Sequence, residues 1–281
     1  MKINNVTCFY DNWDTLKEAI HIKVVTSDNI WRGQSNGKWK LCSSLFRFFK
    51  KMNITQYRRP FLEKCAIEFF KNNLDKNKNN SDLYNLKDYS YCDLLVLMQH
   101  FGCPTRLIDF SKSPYVALYF AISESSSISA LYSLDLDFYL NILKEKKIII
   151  DKDFNLSFDL SEKYQDFLQK NRNCKYPIPI SAKIQSERDF TQQSIYLFDM
   201  DITQNTENIL LKLSTNYFEE YGQELFSKLE FPSEIKNEIF KDLALMNLDG
   251  FHLFKGLQGL AYKAKDILQV PEADINLINS V

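Results

Sequence analysis

The chain has 281 residues but only seven glycines, against about 20 for average usage. None of these glycines has the spacing with which a Rossmann fold or a P-loop cradles phosphate, so those two nucleotide-binding classes are excluded. A formal net charge of −1 excludes a global basic field for nucleic acid, while 45% hydrophobic and 14% aromatic residues predict a soluble globular protein with a large core.

No segment of the sequence carries a compartment signal. Residues 1–10 lack the basic and then apolar pattern of a secretory signal, and no apolar run approaches the ~20 residues of a membrane span. The six cysteines are scattered without C-x-x-C pairs, and the three histidines supply no close pair of zinc ligands. We therefore expect a cytoplasmic protein with reduced thiols, no metal site and no membrane partner.

Apolar periodicity and capping residues predict the elements of the first half of the chain. In chain order they are a helix at 12–25, a short strand at 30–32, a helix from Pro60 that fades into a polar loop at 76–80, a helix at 88–101 stopped by Gly102, a strand at 105–110, a helix at 114–122 and a strand at 128–134. Residues 39–49 mix polar and aromatic side chains without a clear period.

The second half of the chain is less regular. The pattern predicts a short helix and another near 162–170 within 137–170, an irregular extended segment at 176–180, a helical turn at 187–193, strands at 194–198 and 208–213, and helices at 215–229, 232–245 and 256–268. Because strands and helices do not alternate strictly, the order predicts an α+β fold. We expect an N-terminal helix at 1–27, a core at 28–200, and a strand and helical part at 201–281 packed on that core.

Three motif segments carry a family resemblance. They are Trp31-Arg32-Gly33-Gln34 with Ser44-Leu45-Phe46-Arg47, then Gln99-His100-Phe101-Gly102-Cys103-Pro104-Thr105-Arg106-Leu107-Ile108-Asp109-Phe110 running into Ser113-Pro114, and finally Arg188-x-x-x-Gln192. This pattern resembles the FRG domain family, whose usual sequence reads roughly F-R-G-Q, then Q-H-x-G-x-P-T-R-L-L-D-W-T, then R-x-x-x-Q. The departures are mild, since Trp31 stands for Phe, Phe110 for Trp and Ser111 for Thr.

The resemblance covers roughly residues 28–200, which makes this segment the expected FRG core. Members of the family occur often in prokaryotic and phage genomes. That distribution implies a role in conflict or stress response, such as phage defence or a toxin, and leaves the mechanism to be read from the residues.

A looser similarity links these motifs to ADP-ribosyltransferases, in which a strand Arg binds NAD, a hydroxyl-bearing strand shapes the nicotinamide pocket and a late Glu supports transfer. Arg32 matches the first feature, Thr105 with the serines at 111 and 113 matches the second loosely, and the late Glu is replaced by Gln192-Gln193-Ser194. The similarity implies a single domain with a central mixed or antiparallel sheet flanked by helices, and NAD held by side chains rather than by a Gly-rich loop.

Candidate site residues follow from the motifs. As catalytic groups we expect His100, Asp109 and Glu187, because a histidine at an element end and two carboxylates can stabilise charge at a ribose. As cofactor-binding residues we expect Arg32, Gly33, Gln34, Gln99, Thr105, Arg106, Arg188 and Gln192. Here Gly33 would let a ligand approach the backbone. Period-two alternation places Thr105 and Asp109 on one strand face and Arg106 on the other.

Structural explanations compete with these functional ones. Arg32 could instead brace two strands through Asp109, and His100 could cap a helix. At the level of the whole protein, an ADP-ribosyltransferase-like enzyme stands beside a non-catalytic module that recognises a nucleotide or a protein. A weaker alternative is a nuclease or nucleic-acid binder that uses the bases Lys38, Lys40, Arg47, Lys50, Lys51, Arg58 and Arg59.

Overall fold

The computed structural model describes residues 6–74, 91–125, 127–148, 174–180 and 187–269. These residues form the strands β1 (Thr7–Phe9), β2 (Asn29–Gln34), β3 (Leu107–Ser111), β4 (Ser129–Asp135), β5 (Ile178–Ile180), β6 (Ser194–Phe198) and β7 (Phe226–Phe231). The strands make one mixed sheet in the order β1-β7-β4-β2-β3-β6-β5. Strand β1 runs parallel to β7, and the other pairs are antiparallel.

Helices cover both faces of the sheet. They are α1 (Trp13–Thr26), α2 (Ser44–Lys51), α3 (Arg59–Leu74), α4 (Tyr91–His100), α5 (Pro114–Ile122), α6 (Leu136–Glu145), α7 (Glu187–Thr191), α8 (Thr206–Tyr221), α9 (Lys236–Leu245), α10 (Gly250–Leu253) and α11 (Gly256–Ile267), with 3-10 turns at Gln56–Arg58 and Ser233–Ile235. The α+β class with a helix-flanked mixed sheet is therefore confirmed.

Two hydrophobic cores lie on opposite sides of the sheet. One core packs α1, α5 and α9 against Trp31, Leu131 and Leu229. The other packs α4, α6 and α8 against Ile30 and Tyr132, which alternate with the first set along β2 and β4. The two-sided burial explains why β4 is buried at every position. No helix within the described ranges has the length and apolarity needed to cross a membrane.

Local sequence signals explain the elements that hold the site. Ser113 caps α5 by accepting a hydrogen bond from the Val116 N–H, and Pro114 occupies the first turn, where a missing N–H costs nothing. Gly102 has φ +83° after the end of α4, a backbone conformation that favours glycine. The observed bounds of α5 and the end of α4 confirm the predicted helix at 114–122 and the predicted stop before Gly102.

Two sequence predictions in the second half are wrong. Residues 208–213 were expected to be a strand but lie inside α8, where Ile209, Leu210 and Leu213 form a buried helical face capped by Asn205. The helix expected at 215–229 ends at Tyr221 because Gly222 adopts φ +68°. The following residues form β7, which pairs with both β1 and β4.

Other elements were not predicted as helices or strands. Helix α2 begins at Ser44 within the mixed segment 39–49 and continues to Lys51, and the short β1 pairs with β7, which is distant in sequence. Segment 176–180 contributes β5, which joins the sheet edge beside β6 despite Pro179. The polar loop predicted at 76–80 and the helix predicted near 162–170 lie outside the described residues.

Candidate functional site

The sheet opens between β2 and β3. These strands share the single register pair Trp31 and Ser111, whereas β2 pairs with β4 along its whole length. Next to that pair, the gap is bridged by Arg32, whose Nη1 donates to the Asp109 backbone carbonyl at 2.6 Å. Residues of both strands line a cleft with a volume of about 930 Å³, within the range typical of small-molecule sites.

Arg32 carries a charge that its neighbours only partly balance. Its Nη1 lies 3.6 Å from the Asp109 Oδ2, and its side chain is 18% exposed. Its Nε is buried and has no hydrogen-bond partner among the residues that the structure describes. Burial lowers the pKa of Arg32, the nearby Asp109 carboxylate raises it, and the charge on Arg47 lowers it again. A partly buried guanidinium whose charge is incompletely balanced favours an incoming anion.

A chain of side-chain hydrogen bonds holds Asp109 in the cleft. The Gln99 amide nitrogen donates to the Asp109 carboxylate, and the Gln99 amide oxygen accepts from the Thr105 hydroxyl. That hydroxyl also accepts from the Leu107 N–H at 3.2 Å. Gln99 therefore orients a carboxylate whose side chain remains 57% exposed to the cleft.

His100 and Arg188 lie together at another part of the wall. Burial and the positive charge of Arg188 lower the pKa of His100, against the raising effect of Asp189, which favours the neutral imidazole. The Arg188 guanidinium lies 4.8 Å from the centre of the Phe254 ring. Beside it, Asp189 accepts a hydrogen bond from the Tyr196 hydroxyl at 2.6 Å.

The cleft lining has more cations than anions and is rich in rings. Its basic residues are Arg32, Lys38, Lys40, Arg47, Lys50 and Arg188, and its acidic residues are Asp109, Glu124 and Asp189. Its aromatic residues include Trp39, Phe46, Phe120, Phe254 and Tyr262. Such a lining suits a ligand that combines negative charge with planar rings.

The structure brings most of the predicted site residues to one place. Residues Arg32, Gly33, Gln34, Gln99, His100, Asp109, Arg188 and Gln192 all line this cleft. They come from β2, the end of α4, β3 and the α7 turn, which are far apart in sequence but meet where the sheet opens.

Three predicted residues do not line the cleft. Thr105 is 1% exposed and supports Gln99 from beneath. Arg106 is 4% exposed and forms a buried ion pair with Glu63 through two hydrogen bonds. Glu187 is an exposed residue whose carboxylate lies 3.3 Å from Lys255 Nζ. Their contacts stabilise the structure, so they do not enter the functional proposal.

Two further predicted residues have packing contacts although they line the cleft. A Cβ at Gly33 would lie 1.8 Å from the Ala117 carbonyl oxygen, so this glycine lets α5 pack on β2 and leaves no extra room for a ligand. The Gln192 amide nitrogen donates to the Leu253 carbonyl at 3.0 Å and fastens α7 to α10.

Several cleft residues escaped the sequence reasoning. Phe254 and Tyr262 stack with ring centroids 3.9 Å apart and come from the C-terminal helices, for which no motif signal pointed to a site. Asp189 sits beside the motif residue Arg188 and could have been suspected on that ground. Arg47 was quoted in the first motif and named for the nucleic-acid alternative, but not as a residue of this site.

Comparison with known families supports one part of the resemblance. Residues 27–129 match the model of the FRG domain, so an FRG domain is present in this part of the chain. The match includes β2, α4 and β3, and hence Arg32, His100 and Asp109. Neither the curated proteins nor the solved structures gave a match to the chain.

Proposed function

We propose that the cleft binds a nucleotide-type ligand, with NAD as the candidate cofactor, and that the FRG domain acts on it as an ADP-ribosyltransferase-like enzyme. Arg32 is the observation that carries this proposal. Its side chain is partly buried at the opening of the sheet, its Nε has no hydrogen-bond partner within the described ranges, and the surrounding lining has an excess of positive charge.

The residues present fit such a ligand. Arg32 and Arg188 supply two cationic groups for phosphate oxygens. In the described part of the chain the buried Gln34 Oε1 has no hydrogen-bond partner, which leaves it free to accept from a ribose hydroxyl or an amide. Tyr262 is a half-buried ring on the wall that can stack on a base. Phosphate is thus held by side chains, in agreement with the scarcity of glycine.

Bound NAD would supply a glycosidic bond between ribose and nicotinamide, whose cleavage releases neutral nicotinamide while an acceptor nucleophile bonds to the ribose carbon. The Asp109 carboxylate, which accepts a hydrogen bond from Gln99, would stabilise positive charge that develops at the ribose. The neutral imidazole of His100 can take the proton that the acceptor loses.

A second candidate function rests on Glu187. The late Glu expected of a transferase is replaced in the motif, and the carboxylate at 187 pairs with Lys255 away from the cleft lining. This placement favours a non-catalytic module that binds a nucleotide and signals through association.

The experiment separates turnover from binding. The full chain is incubated with NAD and a cell lysate, and released nicotinamide is measured by chromatography, while calorimetry measures affinity for NAD and ADP-ribose. We expect nicotinamide release that Asp109→Asn lowers at least tenfold, with NAD affinity retained. Binding without release would support the recognition module, and absence of both would reject the proposal.

A role in bacterial or phage conflict would follow from loss of cellular NAD. We expect expression of the wild-type chain to lower the NAD content of its host and slow growth, and Arg32→Gln to abolish both effects. Growth arrest that persists in that variant would separate the biological role from the cleft.

A further inference from the structure

We infer that the acceptor taken by this cleft is a single-stranded nucleic acid, held on a basic–aromatic ledge formed by Lys38, Trp39, Arg47 and Lys50. As a statement about the acceptor, this inference rests on the proposed function. The binding that it requires can be measured without NAD. All four residues line the cleft and lie outside the groups assigned above to the cofactor.

The cations of the ledge are not neutralised by protein carboxylates. In the part of the chain that the structure describes, no Asp or Glu oxygen lies within 4.0 Å of the side-chain nitrogens of Lys38, Arg47 or Lys50. All three residues are exposed. Adjacent cations without a carboxylate partner attract a polyanion, and binding releases the counterions condensed on that polyanion.

The other basic residues nearby have different surroundings, so the ledge is not simply part of a uniformly solvated basic surface. Between residues 38 and 59 the sequence has seven bases. Lys40 pairs with Glu207 at 3.1 Å, and Arg59 is buried, where it donates to the carbonyls of Ile54 and Ile202. Lys51 and Arg58 are exposed outside the cleft. Among the described cations of the cleft, only those of the ledge and Arg188 have no carboxylate oxygen within 4.0 Å.

Trp39 provides a ring on which a base can stack. Its side chain is 55% exposed although tryptophan is usually buried. Its backbone is fixed, because the Trp39 N–H donates to the Asn36 carbonyl at 3.1 Å and the Trp39 carbonyl accepts from the Tyr132 hydroxyl at 3.1 Å. A rigid backbone that presents an exposed ring between cations is the arrangement used for unpaired bases.

Helix α2 places the rest of the ledge. Ser43 caps the helix by accepting from the Phe46 N–H and is itself held by the buried Asp199. Arg47 and Lys50 are three residues apart and therefore on one side of the helix. The Arg47 Nη1 donates to the Cys42 carbonyl at 2.7 Å, which fixes one guanidinium nitrogen and leaves the others for phosphate.

The test uses fluorescence anisotropy of labelled twelve-residue oligouridylate and oligothymidylate with the full chain. With three phosphate contacts, we expect affinity to fall about 20-fold between 50 and 200 mM salt. The pair Lys38→Ala and Lys50→Ala should reduce this fall to about threefold. Trp39→Ala should weaken binding at least about fivefold, with Trp39→Phe near the wild type.

Matched controls separate the ledge from net charge and from the proposed function. Lys71→Ala with Lys212→Ala removes two exposed lysines outside the cleft and should leave oligonucleotide affinity within twofold. By calorimetry, the ledge variants should bind NAD with the wild-type affinity. If the wild-type chain does not bind NAD but binds the oligonucleotides, only the proposed function is rejected.

Two results would overturn the inference. One is the absence of oligonucleotide binding at 50 mM salt in a wild-type chain that is folded by circular dichroism. The other is binding that the ledge variants weaken no more than the control pair, or that polyglutamate displaces as well as oligonucleotide does. A stronger response to oligouridylate than to oligothymidylate would identify the strand as RNA.

Discussion

Arg32 and Arg106 both belong to the FRG motifs, yet the two arginines have opposite surroundings. Arg106 donates to Glu63 and to the Asp199 carbonyl, and its guanidinium lies 4.9 Å from the Phe198 ring centre. Arg32 has one hydrogen bond to a carbonyl and an ion pair with Asp109 at 3.6 Å, and its buried Nε has no hydrogen-bond partner among the described residues. Full pairing is consistent with a structural role for Arg106. Arg32 also braces β2 against β3 through Asp109, but its incomplete pairing leaves capacity for the ligand proposed above.

The largest expected effect lies in the paired region. Glu63→Ala would leave the buried Arg106 charge without its carboxylate, at a cost of about 3–5 kcal/mol in the free energy of unfolding. The matched change in the cleft, Asp109→Ala, removes a largely exposed carboxylate and should cost under about 1 kcal/mol. Urea unfolding of both variants measures the difference, and equal costs would erase the contrast between the two regions.

Gly33→Ala is expected to destabilise through packing. Its new Cβ would lie 1.8 Å from the Ala117 carbonyl oxygen. Because this oxygen belongs to the backbone of α5, it cannot move without shifting the helix, and we expect the free energy of unfolding to fall by about 3 kcal/mol. Gly102→Ala serves as control, because no atom lies within 4 Å and only its φ of +83° opposes the change. We expect that control to cost about 1 kcal/mol. If thermal unfolding ranks the two variants in the other order, the packing explanation of Gly33 is wrong.

The stability of the folded protein is expected to depend on pH through Asp199, which lies beside Arg106. Burial raises the pKa of Asp199 to about 7, against the lowering effects of Ser43 and Arg106. Between pH 4 and 7 the folded state then holds a proton that the unfolded state has lost, so Asp199 lowers stability as pH rises, by up to about 1.4 kcal/mol per pH unit. Asp199→Asn should flatten this fall in urea titrations. If the free energy of unfolding falls with pH equally in Asp199→Asn and the wild type, Asp199 is not the cause of the fall.

The smallest effect is expected at Glu187. Its exposed ion pair with Lys255 should contribute under about 1 kcal/mol. Because this carboxylate does not line the cleft, Glu187→Ala should also leave NAD affinity within twofold of wild type. A large loss of nicotinamide release in this variant would restore Glu187 as a catalytic candidate.

The sequence predicted those parts of the fold that local signals determine. Capping by Ser113 with Pro114, and the stop at Gly102, are decided within a few residues, and both helices were predicted near their observed bounds. Strand β7 and helix α8 were misassigned because the neighbours that decide between strand and helix, β1 and β4, are distant in sequence.

The candidate site divides in the same way. The motifs named the residues of β2, β3 and α4 that line the cleft, since these lie in contiguous patterns. The motifs could not show that Arg106 is paired with Glu63, because Glu63 lies in α3, outside the motif segments. Nor could they supply Phe254 and Tyr262, which reach the cleft only through tertiary packing.

Titration of the full chain with NAD by calorimetry tests the central claim most directly. The wild type should bind, Arg32→Gln should lose affinity about 10- to 100-fold because a charge-assisted contact is removed, and both chains should unfold at similar urea concentrations. Wild-type affinity in Arg32→Gln, or no binding of NAD by the folded wild type, would contradict the assignment of the cleft as a nucleotide site.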